Sequence, residues 1–318
     1  MNSAPYQMSW FAMGTEWQLT LADDRPEAYL RSVAEEVEAE VERIEQLLSF
    51  YRDDSDLAAM NATASLGPVR VDPRLFEILR RAQELWSATG GAFDPTIGPL
   101  LRAWGFVGNS GSMPSAREIE SARSIVGMQH VSLDSEVLTV HFERPGVELE
   151  FGAIGKGFAI ERAVELLRDE FGIKSALFHG GTSTIYALGA PPNASAWTVA
   201  VQRPYAPARD AAINMSLCNR AVSVSAPHGK WFQQDGRRYG HVLDPRTGYP
   251  AAGSVLAVVA TESATESDAL STALLVLGEP GIAPIRALRP DCFALVGSHE
   301  ENDALHIVQE GPANSVVS

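Results

Sequence analysis

A chain of 318 residues of which 45% are hydrophobic has enough apolar material for one large core or two of ordinary size, which excludes a disordered protein. Forty acidic against 25 basic side chains leave a formal charge of -15, so a nonspecific binder of nucleic acid or of an anionic membrane is excluded as well. Any anionic ligand must be met by local positive charge or by a metal.

The opening MNSAPYQMSWFAMGTEW has no basic segment followed by an apolar run, and no stretch of about eighteen apolar residues occurs later, so no transmembrane segment is expected. The sequence as written predicts a cytoplasmic protein, with an exported, periplasmic location the alternative if a signal segment has been removed. Cys218 and Cys292 stand in apolar surroundings without metal-type spacing, which predicts two buried thiols.

Residues 15–22 (TEWQLTLA) alternate like a strand, and Asp24-Arg25-Pro26 offers a cap and a first-turn proline. Leu30, Val33, Val37, Val41, Ile44 and Leu48 recur at three or four residues and predict a long helix with one buried face. The next stretch, SFYRDDSDLAAMNA, is too polar for a core element. Asp72-Pro73 opens a second helix that stops at Thr89-Gly90-Gly91. Residues 107–116 read as a mobile loop. VSLDSEVLTVHF and VELEF read as two strands joined around Pro145-Gly146, and FGAIGKGF passes from a glycine-rich turn into a helix.

KSALFHGGTSTIYALG, with a break at Gly180-Gly181, and AWTVAVQRP predict further strands, followed by AVSVSA, YGHVLDP with its turn, and SVLAVVATE. ESDALSTALLVLG predicts a helix ended by Gly278. There is no regular βαβ beat, internal repeat or low-complexity linker. The expectation is a single α+β domain over residues 1–318, with mixed and antiparallel sheets, flanking helices and a central cleft.

Four stretches carry candidate chemistry. The turn Gly152-Ala153-Ile154-Gly155-Lys156-Gly157 opens a helix where backbone N–H groups and the helix dipole favour an anion, although a tight turn with an exposed lysine accounts for it equally. It has neither Walker spacing nor the GxGxxG fingerprint, which removes a Rossmann redox enzyme from consideration. Asp268 and Thr272 lie four apart on one helix face as hard oxygen donors suited to Mg²⁺, or else as a first-turn charge and a hydroxyl bonded to the preceding turn. Ala92-Phe93-Asp94-Pro95 lies just beyond a helix end, either as a ligand contact or as an Asp-Pro turn with a core phenylalanine. His241 precedes the rigid turn DPRTG, with a pKa range suited to proton transfer, or it is a structural histidine.

Taken in order, MGT (13–15), SFYRDDSDLAAMN (49–61), GGAFDPTIGPLLRAWGF (90–106), LEFGAIGKGFAIE (149–161), HGGTSTIYALG (179–189), HVLDPRTGYP (241–250) and ESDALSTALLVLG (266–278) resemble the FAD:protein FMN transferases, the ApbE-type flavin transferases. The resemblance spans residues from about 10 to 280. It implies an enzyme that uses Mg²⁺ to split FAD, releasing AMP and attaching FMN through a phosphoester to a threonine or serine of a partner protein. Some members instead hydrolyse FAD to FMN and AMP. A non-catalytic FAD-binding protein is the remaining alternative.

Carried over position by position, the resemblance makes His241 the catalytic residue. Met13, Tyr51, Ala92, Phe93, Asp94, Glu150, Lys156 and Val242 would contact FAD, Val242 through its backbone. Asp268, Thr272 and the carbonyl of Ala153 would hold the metal, with Ser271 nearby. The acceptor motif of the family's targets, roughly Asp-x-x-(Thr or Ser)-Gly-Ala-Thr, does not occur in this chain, so the acceptor is expected to be another protein. Glu150 and Glu161 stand where aspartate is frequent in the family. Val224 and Ala226 replace the threonine and glycine of the usual A-T-S-G.

Overall fold

The computed structural model describes residues 4–108, 111–204, 211–227, 229–299, 305–312 and 316–317. Its frame is an eight-stranded sheet: β1 (Tyr6–Ala12), β2 (Thr15–Leu21), β3 (Ala176–Gly180), β4 (Thr184–Leu188), β5 (Arg220–Ser225), β6 (Ser254–Thr261), β7 (Phe293–His299) and β8 (Leu305–Glu310). The strands lie side by side in chain order and every neighbouring pair is antiparallel. Everything else is inserted between consecutive strands or laid against the sheet.

Successive strand residues feed opposite faces. Ala257, Val259 and Ala294 join the core beneath the helices. Leu256, Val258 and Leu295 pack instead against Val199, Val201, Ile213 and Met215 of a small sheet built from Trp197–Gln202 and Ala211–Leu217. The result is a single α+β domain in three layers.

The helices are α1 (Glu27–Leu48), α2 (Asp56–Thr63), α3 (Pro73–Ala88), α4 (Gly98–Ala103), α5 (Ala116–Arg123), α6 (Gly155–Glu165), α7 (Ala264–Leu277) and α8 (Ile282–Leu288). The expected apolar stripe of α1 is buried from Leu30 to Leu48, but Pro26 is its N-cap and not a first-turn residue. Glu161 of α6 ties α3 to the start of α7: it accepts from Arg81 at 2.6 Å, Ser263 at 2.6 Å and the Thr265 N–H at 3.0 Å. Burial pushes its carboxyl up, but those donors outweigh it and hold the pKa below the ordinary value. No helix among the described residues is long and apolar enough to cross a membrane.

Several expectations change. The segment thought too polar contains α2, capped by Ser55 accepting from the Ala58 N–H at 3.0 Å and anchored by buried Leu57 and Met60. VSLDSEVLTVHF is two strands, Val131–Asp134 and Thr139–Phe142, turning before Leu138 at φ 54. VELEF is no strand, so the glycine turn after it does not follow one. Cys218 is exposed and only Cys292 is buried. Residues 109 and 110 of the expected mobile loop lie outside the described residues. The remainder of that loop is tied down, with Met113 N–H donating to Gln234 Oε1 at 3.0 Å and Ser115 capping α5.

Registers fix where function can sit. The β1–β2 turn at 13–14, the β3–β4 turn at 181–183, the end of β5 and the start of β6 all fall at one end of the sheet. Beside that end, Leu100, Trp104, Phe106 and Ile119 from α4, its following turn and α5 pack with Phe232 and Tyr239 of the hairpin Trp231–Gln234/Arg237–Gly240. This separate aromatic cluster carries the segment into His241.

Candidate active site

Met13 and Gly14 connect β1 to β2 with φ of 48° and 72°, the two left-handed residues of a tight primed hairpin turn. A left-handed methionine is unusual and costs backbone energy. It places the side chain over the start of α6, where a Cβ added at Gly155 would lie 3.5 Å from Met13 Cε.

At the same helix start, the Gly157 N–H donates to Asp268 Oδ2 at 3.0 Å, instead of to the Ala153 carbonyl four residues back. Thr184 Oγ1 donates to Asp268 Oδ1 at 3.2 Å. Asp268 is thus only 4% exposed and fixed from β4 and α6 at once. One turn along α7, Thr272 Oγ1 donates back to the Asp268 carbonyl at 3.4 Å and lies 3.2 Å from Ser225 Oγ at the end of β5. Ser225 Oγ also meets Ser271 Oγ at 2.8 Å.

Glu150 lies just before the glycine-rich turn that opens α6. Its backbone N–H donates to the Pro95 carbonyl at 2.7 Å, and its Oε1 accepts from the Gly152 N–H at 2.8 Å. Burial raises its pKa; the Gly152 N–H, Lys156 and Lys230 oppose the rise and the charge of Asp268 adds to it. Lys156 donates to the Gly152 carbonyl at 3.1 Å. The Lys230 ammonium sits 4.7 Å from the ring centroid of Tyr51. Tyr51 is 59% exposed, yet partial burial and the charge of Glu150 push its phenol up to about 12.

The backbone of Lys230 also holds His241. The His241 N–H donates to the Lys230 carbonyl at 3.0 Å, while His241 Nδ1 lies 3.1 Å from that oxygen and 3.2 Å from the Lys230 N–H. When Nδ1 donates to the carbonyl, Nε2 is left as the acceptor. Phe106 meets the imidazole edge-on at 6.4 Å, and a Cβ at Gly229 would come within 3.0 Å of its Cε1. His241 is therefore in a bend just beyond the Arg237–Gly240 strand, not on it. The turn beyond is stiffened by Asp244, which accepts from the Arg246 N–H at 2.9 Å and pairs with its guanidinium. Val242 is half-buried, and its carbonyl accepts from the Ala251 N–H at 2.9 Å.

Ala92 and Phe93 are buried in the main core. The Phe93 ring packs there, as the core-phenylalanine alternative anticipated. Asp94 is 8% exposed and takes the Thr96 N–H at 2.9 Å and the Thr96 hydroxyl at 2.5 Å. Burial nevertheless raises its pKa to about 6, against the lowering effect of Thr96 and Trp86.

Segments from the β1–β2 turn, the stretch 50–156, the excursion after β5 and helix α7 thus meet at one end of the sheet. The sequence matches the ApbE family over residues 13–296. The chain belongs to the ApbE family. It is 33% identical over 287 residues to a FAD:protein FMN transferase of Treponema pallidum, covering 86% of this chain and 79% of that protein. A FAD:protein FMN transferase of Klebsiella pneumoniae is 32% identical over 77% of this chain and 76% of its own length. Among solved structures, the ApbE protein of Thermotoga maritima superposes with a TM-score of 0.85 at 29% identity over 95% of this chain and 96% of that one. The flavin transferase ApbE of Vibrio cholerae gives 0.84 at 25% identity, covering 98% of both chains.

For an ApbE-family site, the donors around Asp268 are informative. Among the described residues no three His, Cys, Asp or Glu side chains gather into a metal cluster. Asp268 supplies one carboxylate; Thr272 and Ser225 supply hydroxyls, and Ala153 a carbonyl on the adjoining turn. All of these are hard oxygen donors, the type that could contribute to holding a divalent cation. Two residues of this ApbE site escaped the sequence reading. Ser225 was passed over between Val224 and Ala226, although it occupies the serine place of the A-T-S-G pattern. Lys230 carries no sequence signal, because its role is to reach Tyr51 and Glu150 with its side chain and His241 with its backbone.

Proposed function

We propose that this chain is a FAD:protein FMN transferase, a single flavin transferase domain over residues 1–318. It splits FAD, releases AMP and leaves FMN in phosphoester linkage on a threonine or serine of another protein bearing Asp-x-x-(Thr or Ser)-Gly-Ala-Thr. Beyond the family, the observation that carries the reading is Lys230, whose backbone carbonyl and N–H both meet His241 Nδ1 while its ammonium lies 4.7 Å from the Tyr51 ring centroid.

The acceptor hydroxyl is a weak nucleophile at neutral pH. With Nδ1–H on the Lys230 carbonyl, Nε2 of His241 takes its proton as the oxygen bonds to the FMN-side phosphorus. The bond from that phosphorus to the bridging oxygen breaks, and AMP departs with the oxygen as a stable phosphate needing little proton assistance. Lys156, Lys230 and the amide-rich start of α6 offset the diphosphate charge in a chain of net charge -15. Asp268, Thr272 and the Ala153 carbonyl would hold Mg²⁺, which when bound withdraws charge from the phosphates. Met13, Tyr51, Asp94, Glu150, Lys156 and the Val242 backbone form the FAD-binding wall, with Ala92 and Phe93 packed in the core behind it.

The test is to incubate the purified chain with FAD and Mg²⁺, with and without an acceptor protein bearing the motif, and to follow AMP release and acceptor mass. A mass gain equal to FMN supports the transferase. AMP without that gain replaces it with a FAD pyrophosphatase, and neither product leaves a FAD-binding protein.

A further inference from the structure

Two buried hydroxyls interrupt the apolar face that the large sheet turns towards α6 and α7. Thr184 on β4 and Ser223 on β5 stand directly opposite each other in the register, and both are completely buried. Ser223 is also level with Val259 of β6, and Ala221 lies two residues before it; both are apolar members of the core beneath the helices. Valine at 184 and alanine at 223 would suit such a face, since a buried hydroxyl costs free energy unless its hydrogen bonds are made.

Here the bonds run in one direction, towards Asp268. An ionised carboxylate only accepts, so the single proton of the Thr184 hydroxyl goes to Asp268 Oδ1, 3.2 Å away. The Thr184 oxygen is then the acceptor for Ser223 Oγ, also at 3.2 Å. Asp268 Oδ2 takes the Gly157 N–H at 3.0 Å. The carboxylate is thus gripped at both oxygens, from the sheet and from the start of α6, and each oxygen keeps a further acceptor position. With one grip removed, it can turn about its Cβ–Cγ bond. Ser225, two residues along β5 from Ser223, meets Thr272 and Ser271 instead, so one strand supplies hydroxyl support to both Asp268 and Thr272.

We propose that Thr184 and Ser223 are positioning residues for the cation: Ser223 orients the Thr184 hydroxyl, and Thr184 fixes the Asp268 carboxylate with an acceptor position of Oδ1 left for the metal. Both act through Asp268 and neither is a catalytic residue. The proposal rests on Asp268 being a metal ligand, as in the transferase reading above. Removing a donor that orients a metal-binding side chain lowers metal affinity by about 10–100-fold.

The test reads the cation directly. Mn²⁺, a hard ion that takes the same oxygen donors as Mg²⁺, is titrated into the full chain and followed by loss of its free-ion electron paramagnetic resonance signal. The site is the binding that Asp268→Asn loses. Thr184→Val keeps the shape and the branched Cβ but not the donor. Its Mn²⁺ affinity is expected to fall about tenfold or more, and the Mg²⁺ concentration for half-maximal AMP release to rise by the same factor, with KM for FAD at saturating Mg²⁺ unchanged. Thr184→Ser, which restores the hydroxyl, is expected to recover parental Mn²⁺ affinity. Ser223→Ala is expected to weaken Mn²⁺ binding less than Thr184→Val, because the Thr184 donor stays. Parental affinity in Thr184→Val, or an equal loss in Thr184→Ser, overturns the proposal; if Thr184→Val does not fold, parental affinity in Ser223→Ala does so. A parent without Asp268-dependent Mn²⁺ binding overturns it too. A parent and variants that bind Mn²⁺ as expected, yet yield neither AMP nor modified acceptor, overturn the transferase reading and leave the positioning role standing.

Discussion

The backbone N–H of Gly157 and the carboxylate of Asp268 are joined at 3.0 Å, and this bond sets the start of α6 against α7. The approach requires glycine: a Cβ at position 157 would collide with the Ala264 carbonyl and lie 2.8 Å from Asp268 Cβ. Gly157→Ala must push the helices apart and is expected to cost about 1–3 kcal/mol, the usual range for overpacking. Thermal unfolding will show a lowered midpoint, and AMP release will fall with it. An unchanged midpoint contradicts the close approach.

Asp268→Ala removes the acceptor of both Gly157 N–H and Thr184 Oγ1. Stranding two buried donors costs about 1–3 kcal/mol each, so this variant is expected to be less stable as well as inactive. Asp268→Asn preserves much of the shape and separates the effects: near-parental unfolding with Mg²⁺-dependent turnover lost. Full turnover by the parent in excess EDTA would falsify the metal assignment.

His241→Ala leaves Lys230 free to keep its contact with Tyr51 and should bind FAD with near-parental affinity. Loss of a general base lowers rate by about 10²–10⁴-fold. Single-turnover transfer to the acceptor measures this directly, and an unchanged rate removes His241 from the mechanism.

The carboxyl of Asp94 has its pKa raised from 3.8 to about 6 by burial. Between those values the folded chain binds the proton more tightly than the unfolded chain, so stability contributed by this group is complete below pH 3.8 and is lost as pH rises to about 6. The difference amounts to roughly 3 kcal/mol at most. Asp94→Asn should flatten that part of the stability profile, measured by denaturant unfolding at about pH 4 to 7. Identical profiles for parent and variant refute the raised pKa.

Much of the frame was legible because its periodicities are long. α1 repeats its apolar stripe over six turns, and α3 and α7 have clear stops at Gly90 and Gly278. α2 was hidden because only Leu57 and Met60 of its eight residues are buried among the helix positions, too few to reveal a period. β1 was obscured by Phe11, which is 74% exposed and turns an alternating strand into an apparent apolar cluster. VELEF does alternate, burying Val147, Leu149 and Phe151. Its backbone is bonded instead to Asn61, Gly98 and Pro95, and alternation says nothing about which partner is present.

The candidate site divided along similar lines. Asp268 and Thr272 were visible as a helical pair, and His241 stood out before its rigid turn. The Met13 conformation, the Lys230 clamp and the Ser225 hydroxyl depend on contacts between segments far apart in the chain.

The chain-order sheet has a consequence for how the molecule assembles. Pairing β2 with β3 must close the long excursion from residue 22 to 175, whereas β3 with β4 closes a three-residue turn and β5 with β6 only residues 226–253. Closure entropy grows with the logarithm of loop length, so the half of the sheet bearing Ser225, His241 and Asp268 has the smaller entropic debt and can form first. Tyr51, Asp94 and Glu150 all lie within the excursion between β2 and β3, so the side of the candidate site that they form is closed off only when those two strands pair.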